Sequence, residues 1–405
     1  MILTSRSSSR ALGLLSVLFI TKFYGLEELG ILAIFQAQVY ITSVLFKFGF
    51  PQSIYQLKSN KSEIIYLNLS LFQFWSIFFG LVALTILLLT SLISVEVDEI
   101  YLYVFALAFM ISWISVESNL RLPDRNPMTA LALEDILPGF VFFISLIVCY
   151  LYSASFDIRY IYFFSFLVSF VIVLIFRSRD SKILIRTKNF YEILNIIRKN
   201  FYFFLLNLSQ QGHSHGIILI LSFIADKSEI GSFRLALTIL ALFAIISSSI
   251  ATEVQRLSSI SQKIEDLQVI LLKYSRLNFG IALCVFSTLL IGHIFFKDLL
   301  LLGVDDLTLN FCIILFLLNF IKSFFGFPDS FLIAKEFEKK ISHIFIINTS
   351  LIYALSIAYL IGSGNSLYVL VGLLSAIQLV SIFRYRQLTW EKFGLKADIF
   401  NFKSR

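Results

Sequence analysis

Long apolar stretches alternate with short polar segments along the whole chain, and this alternation predicts a bundle of membrane-spanning helices. A helix needs about 20 apolar residues to cross a hydrocarbon core of ~30 Å at ~1.5 Å per residue. Twelve stretches have approximately this length: 5–24, 29–56, 66–95, 100–120, 130–151, 160–176, 201–225, 230–252, 274–296, 307–328, 341–361 and 366–383. The pattern therefore predicts an all-α integral membrane protein with about twelve transmembrane helices.

The basic residues are distributed unevenly among the polar segments. If the N-terminus lies inside the cell, the inner segments contain most of them: Arg6, Arg10, Lys58, Lys61, Arg121, Arg125, Arg177, Arg179, Lys182, Arg186, Lys188, Arg198, Lys199, Arg256, Lys263, Lys273, Arg276, Lys335, Lys339, Lys340 and the basic tail. The outer loops hold Lys22, Arg159, Lys227 and Lys297 and are otherwise acidic. Because Lys and Arg near span ends are retained on the cytoplasmic side of a membrane, we expect both termini to be cytoplasmic.

Composition supports the membrane assignment and excludes several other classes. Hydrophobic residues make up 58% of the 405 residues, against ~45–50% in soluble globular proteins. The net charge of +7 follows the cytoplasmic segments rather than one aromatic-rich face, so we expect no nucleic-acid partner. The cysteines lie in apolar stretches without metal-ligand spacing, and the sequence has no Gly-rich phosphate loop and no nucleophile elbow. We expect no catalytic residues, no metal and no cofactor.

The most basic connection, between Arg177 and Lys199, divides the chain into halves that share short motifs. Two pairs of motifs correspond: Glu28-Leu29-Gly30 with Glu229-Ile230-Gly231, and Ser118-Asn119-Leu120-Arg121-Leu122-Pro123-Asp124 with Ser323-Phe324-Phe325-Gly326-Phe327-Pro328-Asp329. Both pairs are offset by about two hundred residues, which indicates a duplicated unit. We predict two parallel six-helix bundles, residues 1–187 and 188–405, the second with a basic cytoplasmic tail. Two such bundles enclose a central cavity that rocking opens to each side in turn.

The beginning of each half resembles a known family of transporters. The segments Ser9–Leu15, Tyr24–Ala33 and Phe48–Gln52 are similar to the first two helices of that family, and the region from Leu208 to Arg234 resembles its second half. The family is that of the Wzx-type (O-antigen) polysaccharide flippases, in the multidrug/oligosaccharidyl-lipid/polysaccharide (MOP) exporter superfamily. The resemblance implies a MATE/MOP-like fold in the cytoplasmic (inner) membrane of a bacterium.

The same resemblance implies a function. A flippase of this family moves an undecaprenyl-diphosphate-linked oligosaccharide, an O-antigen or capsule repeat unit, from the inner to the outer leaflet by alternating access. The sugar occupies a cationic cavity while the lipid tail stays in the bilayer. The resemblance also implies a polysaccharide polymerase and a chain-length regulator as partners, and it implies that the protein is not an enzyme.

Two other functions suit a chain of this length and hydrophobicity. A membrane-embedded polysaccharide polymerase or glycosyltransferase would place a large polar segment on the sugar-processing side, whereas the outer loops here are short and the longest polar stretch, Arg177 to Lys199, is on the predicted inner side. A drug/cation antiporter of the same fold would need acidic residues within its spans. The basic residues within the predicted spans favour an anionic substrate instead.

Polar side chains inside the apolar stretches are candidates for substrate binding, because a charge at the bilayer centre costs at least ~2.5–3.5 kcal/mol. Arg and Lys suit a diphosphate, the first as a bidentate fork and the second as a point charge. The candidates are Lys47 with Gln36, Tyr40 and Ser43 on one face of the second helix, Arg234 with Thr238 on the eighth, and Arg10 on the first. Two alternatives remain open, since Arg234 near a span end can snorkel to the outer interface and Arg10 can be a topology anchor.

Four further ionisable groups lie within predicted spans. Aligning the two Pro-Asp motifs places Glu117 of the fourth helix opposite Lys322 of the tenth. We expect this pair to form a gating latch on the inner side, with separate roles in substrate or ion binding, or snorkelling toward different neighbours, as the alternatives. His213 and His215 lie two residues apart, so a regular helix turns them to different faces and a shared metal is not expected. Polar packing is the favoured role, with proton coupling open for one of them.

Overall fold

The computed structural model describes residues 2–50, 71–78, 80–82, 85, 99–121, 136–152, 156–177, 190–261, 263–295, 305–335, 337–362 and 366–395. Every secondary-structure element in that part of the chain is a helix. The helices are α1 (Ile2–Phe23), α2 (Leu26–Lys47), α3 (Leu71–Val82), α4 (Ile100–Arg121), α5 (Leu137–Leu151), α6 (Ile158–Arg177), α7 (Phe190–Gln211), a π-helical segment (Gly212–Gly216), α8 (Ile217–Leu221), α9 (Lys227–Ile260), α10 (Ile264–Phe295), α11 (Asp306–Ser323), α12 (Pro328–Ala334), α13 (Glu338–Ile361) and α14 (Leu367–Phe393).

The length and hydropathy of these helices confirm an all-α membrane protein. Among the described residues, six helices are long and apolar enough to cross a membrane, or seven if the bent helix α9 is one span. Parts of the second, third, fifth and ninth predicted stretches lie outside the described residues. The total of twelve crossings and the cytoplasmic termini therefore stay predictions.

Helix α2 lies at the centre of the first compact unit, Met1–Leu219, where it contacts α1, α4, α6, α7 and the π-helical segment. Small residues allow neighbouring backbones to approach α2 closely, as is common between membrane helices. Ala33 and Ala37 of α2 are buried, and so are Ala108 and Ser112 of α4. The Ser112 hydroxyl lies 3.1 Å from the Ser43 carbonyl of α2, so this contact also carries an interhelical hydrogen bond.

The second compact unit, Ile220–Arg405, is built on two unusually long helices. Helices α9 and α10 have 34 and 32 residues, or roughly 50 Å each at ~1.5 Å per residue, against a hydrocarbon core of ~30 Å. Helix α9 bends by 45° between Ala241 and Ala244. Where its C-terminal part meets the start of α10, a buried cluster joins both helices to α12 and α14: Ile250, Val254, Leu267, Leu271, Phe331, Leu332 and Tyr385. The Lys335 ammonium donates a hydrogen bond to the carbonyl of Ser261, the residue directly after α9, at 3.0 Å.

Two boundaries differ from the apolar pattern. The second stretch predicts a span over 29–56, whereas α2 ends at Lys47 because Phe48 and Gly49 both adopt positive φ. Helix α7 begins at Phe190, inside the segment taken as a polar connection. It packs against α2 in the first compact unit, and the division between units falls at Leu219 and Ile220. The predicted division into six-helix bundles at residues 1–187 and 188–405 stays a prediction.

Candidate functional site

Lys47 is the last residue of α2, and its side chain is half-buried. The backbone reverses immediately after it. Phe48 has φ 40° and ψ 35°, in the left-handed region, and Gly49 follows with φ 75°. Residues with a Cβ atom rarely adopt this conformation, and helices that end this way commonly place glycine there. The end of α2 is therefore an unusual turn that fixes where the Lys47 side chain begins.

Gly49 allows this turn to lie directly against α7. A Cβ atom at Gly49 would overlap the Asn200 carbonyl oxygen, and it would lie 2.8 Å from both the Phe204 amide nitrogen and the Phe203 Cβ atom. Real Cβ atoms essentially never come that close to backbone. Only glycine fits, since it combines a positive φ with the absence of a side chain.

Aromatic rings surround the same turn. The Phe48 ring lies 4.3 Å from Trp75 of α3 and 5.1 Å from Phe204 of α7, measured between ring centroids. Phe50, Phe72 and Val116 form a buried cluster beneath it. These contacts join α2, α3, α4 and α7 at one place, so the end of α2 is fixed by packing from several helices.

Backbone and side-chain donors contact carbonyl groups in the last turns of α2. Ser112 lies within hydrogen-bond distance of the Ser43 carbonyl, the Phe48 amide donates to Val44 at 3.0 Å, and the Trp75 indole donates to Leu45 at 2.9 Å. The carbonyl groups at a helix C-terminus otherwise have no intrahelical partner and attract cations. The Trp75 indole thus connects α3 to the last turn of α2, whereas the Ser112 hydroxyl lies nearer to the Ala108 carbonyl of its own helix, at 2.6 Å, than to Ser43.

The other predicted members of the α2 face have different surroundings. Gln36 and Tyr40 are half-buried, whereas Ser43 is 1% exposed and its hydroxyl donates to the Tyr40 carbonyl at 2.7 Å. The Tyr40 hydroxyl lies 3.3 Å from the Tyr162 hydroxyl of α6, longer than the usual ~2.5–3.0 Å between hydroxyl oxygens. The structure thus places Gln36, Tyr40 and Lys47 at intermediate exposure and Ser43 in the helix interface. Their roles toward a substrate stay predictions.

His215 contacts this face from the π-helical segment. Its ring stacks on Tyr40 with centroids 4.6 Å apart and planes 15° apart. A π-helical turn contains one residue more than an α-helical turn, and such turns are frequent at functional sites. In the sequence, this segment is marked by Gly-His-Ser-His-Gly, in which two glycines and two histidines interrupt an apolar run. Spacing alone gave no reason to connect His215 with Tyr40.

In the second unit, Arg234 and Thr238 lie on α9 and both are half-buried. The Thr238 hydroxyl donates to the Arg234 carbonyl at 2.9 Å, a hydrogen bond within the helix that is common for Thr in apolar surroundings. In the first unit, Arg10 lies on α1 and is half-buried. No observation tests these three residues as substrate ligands.

Glu117 and Lys322 belong to different compact units. Glu117 lies near the end of α4 and is 6% exposed, and Lys322 is half-buried in the last turn of α11. A carboxylate this deeply buried is retained only with compensating partners. The latch between Glu117 and Lys322 stays a prediction.

Polar contacts outside the predicted site join the helices of the second unit. The Ser247 hydroxyl donates to the side-chain carbonyl of Asn278, and the side-chain amide of Asn348 donates to the Ser381 hydroxyl. Ser232 of α9 donates to Asp305 at the start of α11, at 2.8 Å. The sequence indicates such contacts through Ser and Asn residues within apolar stretches, because these side chains commonly form hydrogen bonds between membrane helices. In the part of the chain that the structure describes, no three His, Cys, Asp or Glu side chains are close enough to hold a metal ion.

The sequence matches no protein-family model and no curated protein. Solved structures do match over nearly the whole chain. An inward-facing multidrug resistance MATE family transporter of the MOP superfamily aligns at 14% identity and a TM-score of 0.68, over 95% of this chain and 94% of its own. The outward-facing conformation of such a transporter aligns at 13% identity and a TM-score of 0.62, over 97% and 93% of the two chains.

This chain has the MATE transporter fold. A third match is a MOP superfamily transporter from Pyrococcus furiosus, for which a binding pocket of reversed polarity suggests a different function. It aligns at 14% identity and a TM-score of 0.61, over 97% of this chain and 94% of its own. The MATE fold confirms the predicted fold class. Identities this low do not carry a substrate from one protein to another.

Proposed function

We propose that this protein is a membrane transporter that works by alternating access and moves a lipid-linked oligosaccharide with an anionic diphosphate head. The fold shared with MATE transporters supports transport over glycosyl transfer. The proposed substrate is an undecaprenyl-diphosphate-linked repeat unit, carried from the inner to the outer leaflet of the cytoplasmic membrane. Within the MOP superfamily this corresponds to a polysaccharide flippase of the Wzx type.

One observation carries the choice of an anionic substrate. Lys47 lies half-buried at an end of α2 that is organised by aromatic packing and by the side-chain donor Trp75. A half-buried lysine at a well-packed helix end is suited to bind a diphosphate, because a charge-assisted hydrogen bond is roughly twice as strong as a neutral one. Arg234 supplies a second half-buried cation in the other unit.

A drug/cation antiporter is the second candidate, and the buried Glu117 favours it. A carboxylate within a span is suited to bind a cation or a proton. The two candidate functions require substrate-binding residues of opposite charge. Neutralising Lys47 harms transport of an anion, and neutralising Glu117 harms transport of a cation.

A reconstituted flipping assay tests the proposal. Purified protein is placed in liposomes that contain a fluorescent polyprenyl-diphosphate disaccharide, and dithionite bleaches the label in the outer leaflet. Liposomes with the wild-type protein should show faster exchange between leaflets than empty ones, and Lys47→Ala and Arg234→Ala should lose most of this difference. Wild-type liposomes that behave like empty ones would overturn the flippase assignment. Uptake of an organic cation by the same liposomes would point to the antiporter.

A further inference from the structure

Phe48 is the one residue other than glycine with a positive φ among the described residues. A left-handed backbone brings the Cβ atom close to a carbonyl oxygen, so the conformation is unfavourable for phenylalanine. Such strain persists only where the surroundings enforce it, and it is concentrated at functional sites. Its position directly after Lys47 calls for a physical explanation.

A helix end with only a structural role would use glycine here. Helices that terminate through a left-handed residue usually have glycine in that place, because glycine adopts the conformation without strain. In this chain glycine comes one residue later, at Gly49, and phenylalanine occupies the strained position. The phenyl ring at position 48 must therefore contribute something that glycine lacks.

The ring contacts neighbouring helices from two sides. Trp75 lies 4.3 Å away with its plane tilted by 37°, and Phe204 stacks at 5.1 Å with an angle of 28°. Trp75 also donates to the Leu45 carbonyl within the last turn of α2. Trp75 thus contacts Phe48 through its ring and the last turn of α2 through its N–H, on both sides of the point where the helix ends.

We propose that Phe48 is a positioning residue for Lys47: its aromatic contacts enforce a left-handed turn that ends α2 at Lys47 and fixes the ammonium for binding a diphosphate. This inference rests on the proposed function, in which Lys47 binds the anionic head of the substrate. Fixing a binding side chain in advance increases affinity, because less conformational freedom is lost when the ligand binds. Phe48 itself does not touch the ligand and acts through Lys47.

The test measures binding of farnesyl diphosphate to the purified full-length protein in nanodiscs. Lys47→Ala should weaken binding roughly tenfold, the factor that corresponds to about 1.4 kcal/mol. Phe48→Gly keeps the backbone conformation and removes the ring, so it should weaken binding by a similar factor. Phe204→Ala leaves residue 48 unchanged but removes its stacking partner, and it should also weaken binding. Phe48→Tyr preserves the ring and should restore wild-type affinity.

Whether the effects of Lys47→Ala and Phe48→Gly on binding add distinguishes a positioning role from a general loss of structure. If Phe48 acts through Lys47, the double variant Lys47→Ala/Phe48→Gly should bind no more weakly than Lys47→Ala alone. Phe74→Ala is the matched control, since this ring is 70% exposed on α3, and it should bind as the wild type does. Each variant is accepted only if it elutes as the wild type does in gel filtration.

The outcomes distinguish the two proposals. If Lys47→Ala weakens binding while Phe48→Gly and Phe204→Ala do not, Phe48 has no positioning role and the proposed function is unaffected. If the effects of Lys47→Ala and Phe48→Gly add, the two residues act independently and the positioning role is wrong. If Lys47→Ala binds like the wild type, the assignment of Lys47 to the anionic head is wrong, and the positioning role is overturned with it.

Discussion

The imidazole ring of His215 stacks on the phenol ring of Tyr40, with centroids 4.6 Å apart and planes 15° apart. One ring comes from the π-helical segment and the other from the face of α2 that also includes Gln36 and Lys47. The Tyr40 hydroxyl in turn meets Tyr162 of α6. Three helical elements of the first compact unit therefore meet at Tyr40. The contribution of the contact between His215 and Tyr40 to stability can be measured.

We expect the two rings to stabilise each other. In a double-mutant cycle of Tyr40→Ala and His215→Ala, the coupling free energy of unfolding should be about 0.5–1.5 kcal/mol, the range for aromatic pairs. Reversible unfolding of the purified protein in detergent supplies the four free energies. Tyr162→Phe is the control because it removes one hydroxyl and leaves the stack in place. Additivity within ~0.3 kcal/mol would show that the stack contributes nothing to stability.

Gly49→Ala should be strongly destabilising. The methyl group would meet the Asn200 carbonyl and the Phe204 amide, and residue 49 has a positive φ. Overpacking costs about 1–3 kcal/mol and the left-handed conformation adds roughly 1–2 kcal/mol for alanine, so we expect a loss of about 2–5 kcal/mol. Thermal unfolding in detergent measures it as a lower Tm.

Gly280→Ala is the matched control for the substitution at Gly49. Gly280 lies in helix α10, and an added Cβ atom there would meet nothing within 4 Å. Alanine in a helix is more stable than glycine by about 0.5–1 kcal/mol, so Tm should rise slightly. Equal effects at the two positions would mean that Gly49 does not lie against α7 as described.

Hydropathy predicted which parts of the chain are helical far better than it predicted where the helices end. The apolar stretch around α2 continues through Phe48 and Phe50, and a hydropathy pattern contains no information on the sign of φ at residue 48. The last turns of α9, near Arg256, are too polar to suggest a span, yet they remain helical because Val254 packs against Leu267 and Leu271. Burial between helices, rather than contact with lipid, determines these ends.

Helical spacing likewise predicted only part of the candidate site. Helical spacing placed Tyr40, Ser43 and Lys47 on one face. It did not reveal that Ser43 would be buried against α4 while Tyr40 met His215. A two-residue spacing turns the histidines to different faces, but it does not indicate which neighbouring helix either face contacts. Tertiary contacts decided which polar residues came together.

The predicted orientation has a direct test in cysteine labelling. After the three native cysteines are replaced by serine, Asp226→Cys should react with a membrane-impermeant maleimide added to intact cells. Lys263→Cys and Lys340→Cys should react only after the membrane is permeabilised. All three positions are exposed, so reactivity reports the side of the membrane rather than burial, which a buried position such as Ser342 cannot do. The reverse pattern would show that the termini lie outside.

Glu117 and Lys322 provide the last prediction, because repeat alignment assigns them corresponding positions and opposite charges. Two such charges about 4 Å apart attract by about 4 kcal/mol at an effective dielectric near 20, before the desolvation cost is subtracted. A pair that forms in one state of the transport cycle and separates in the other would bias that cycle. Glu117→Lys and Lys322→Glu should each slow lipid exchange in the liposome assay, since each leaves two like charges in place of a pair.

The double variant Glu117→Lys/Lys322→Glu tests whether the two residues pair. Restoring opposite charges at the two positions should recover much of the lost rate, whereas a double variant no faster than the slower single variant means that the residues do not pair. Because Glu117 is buried, a lysine there can also prevent folding. The neutral variants Glu117→Gln and Lys322→Gln therefore complete the set. If the residues pair, the two neutral changes together should cost no more than one of them alone, because either change already removes the attraction.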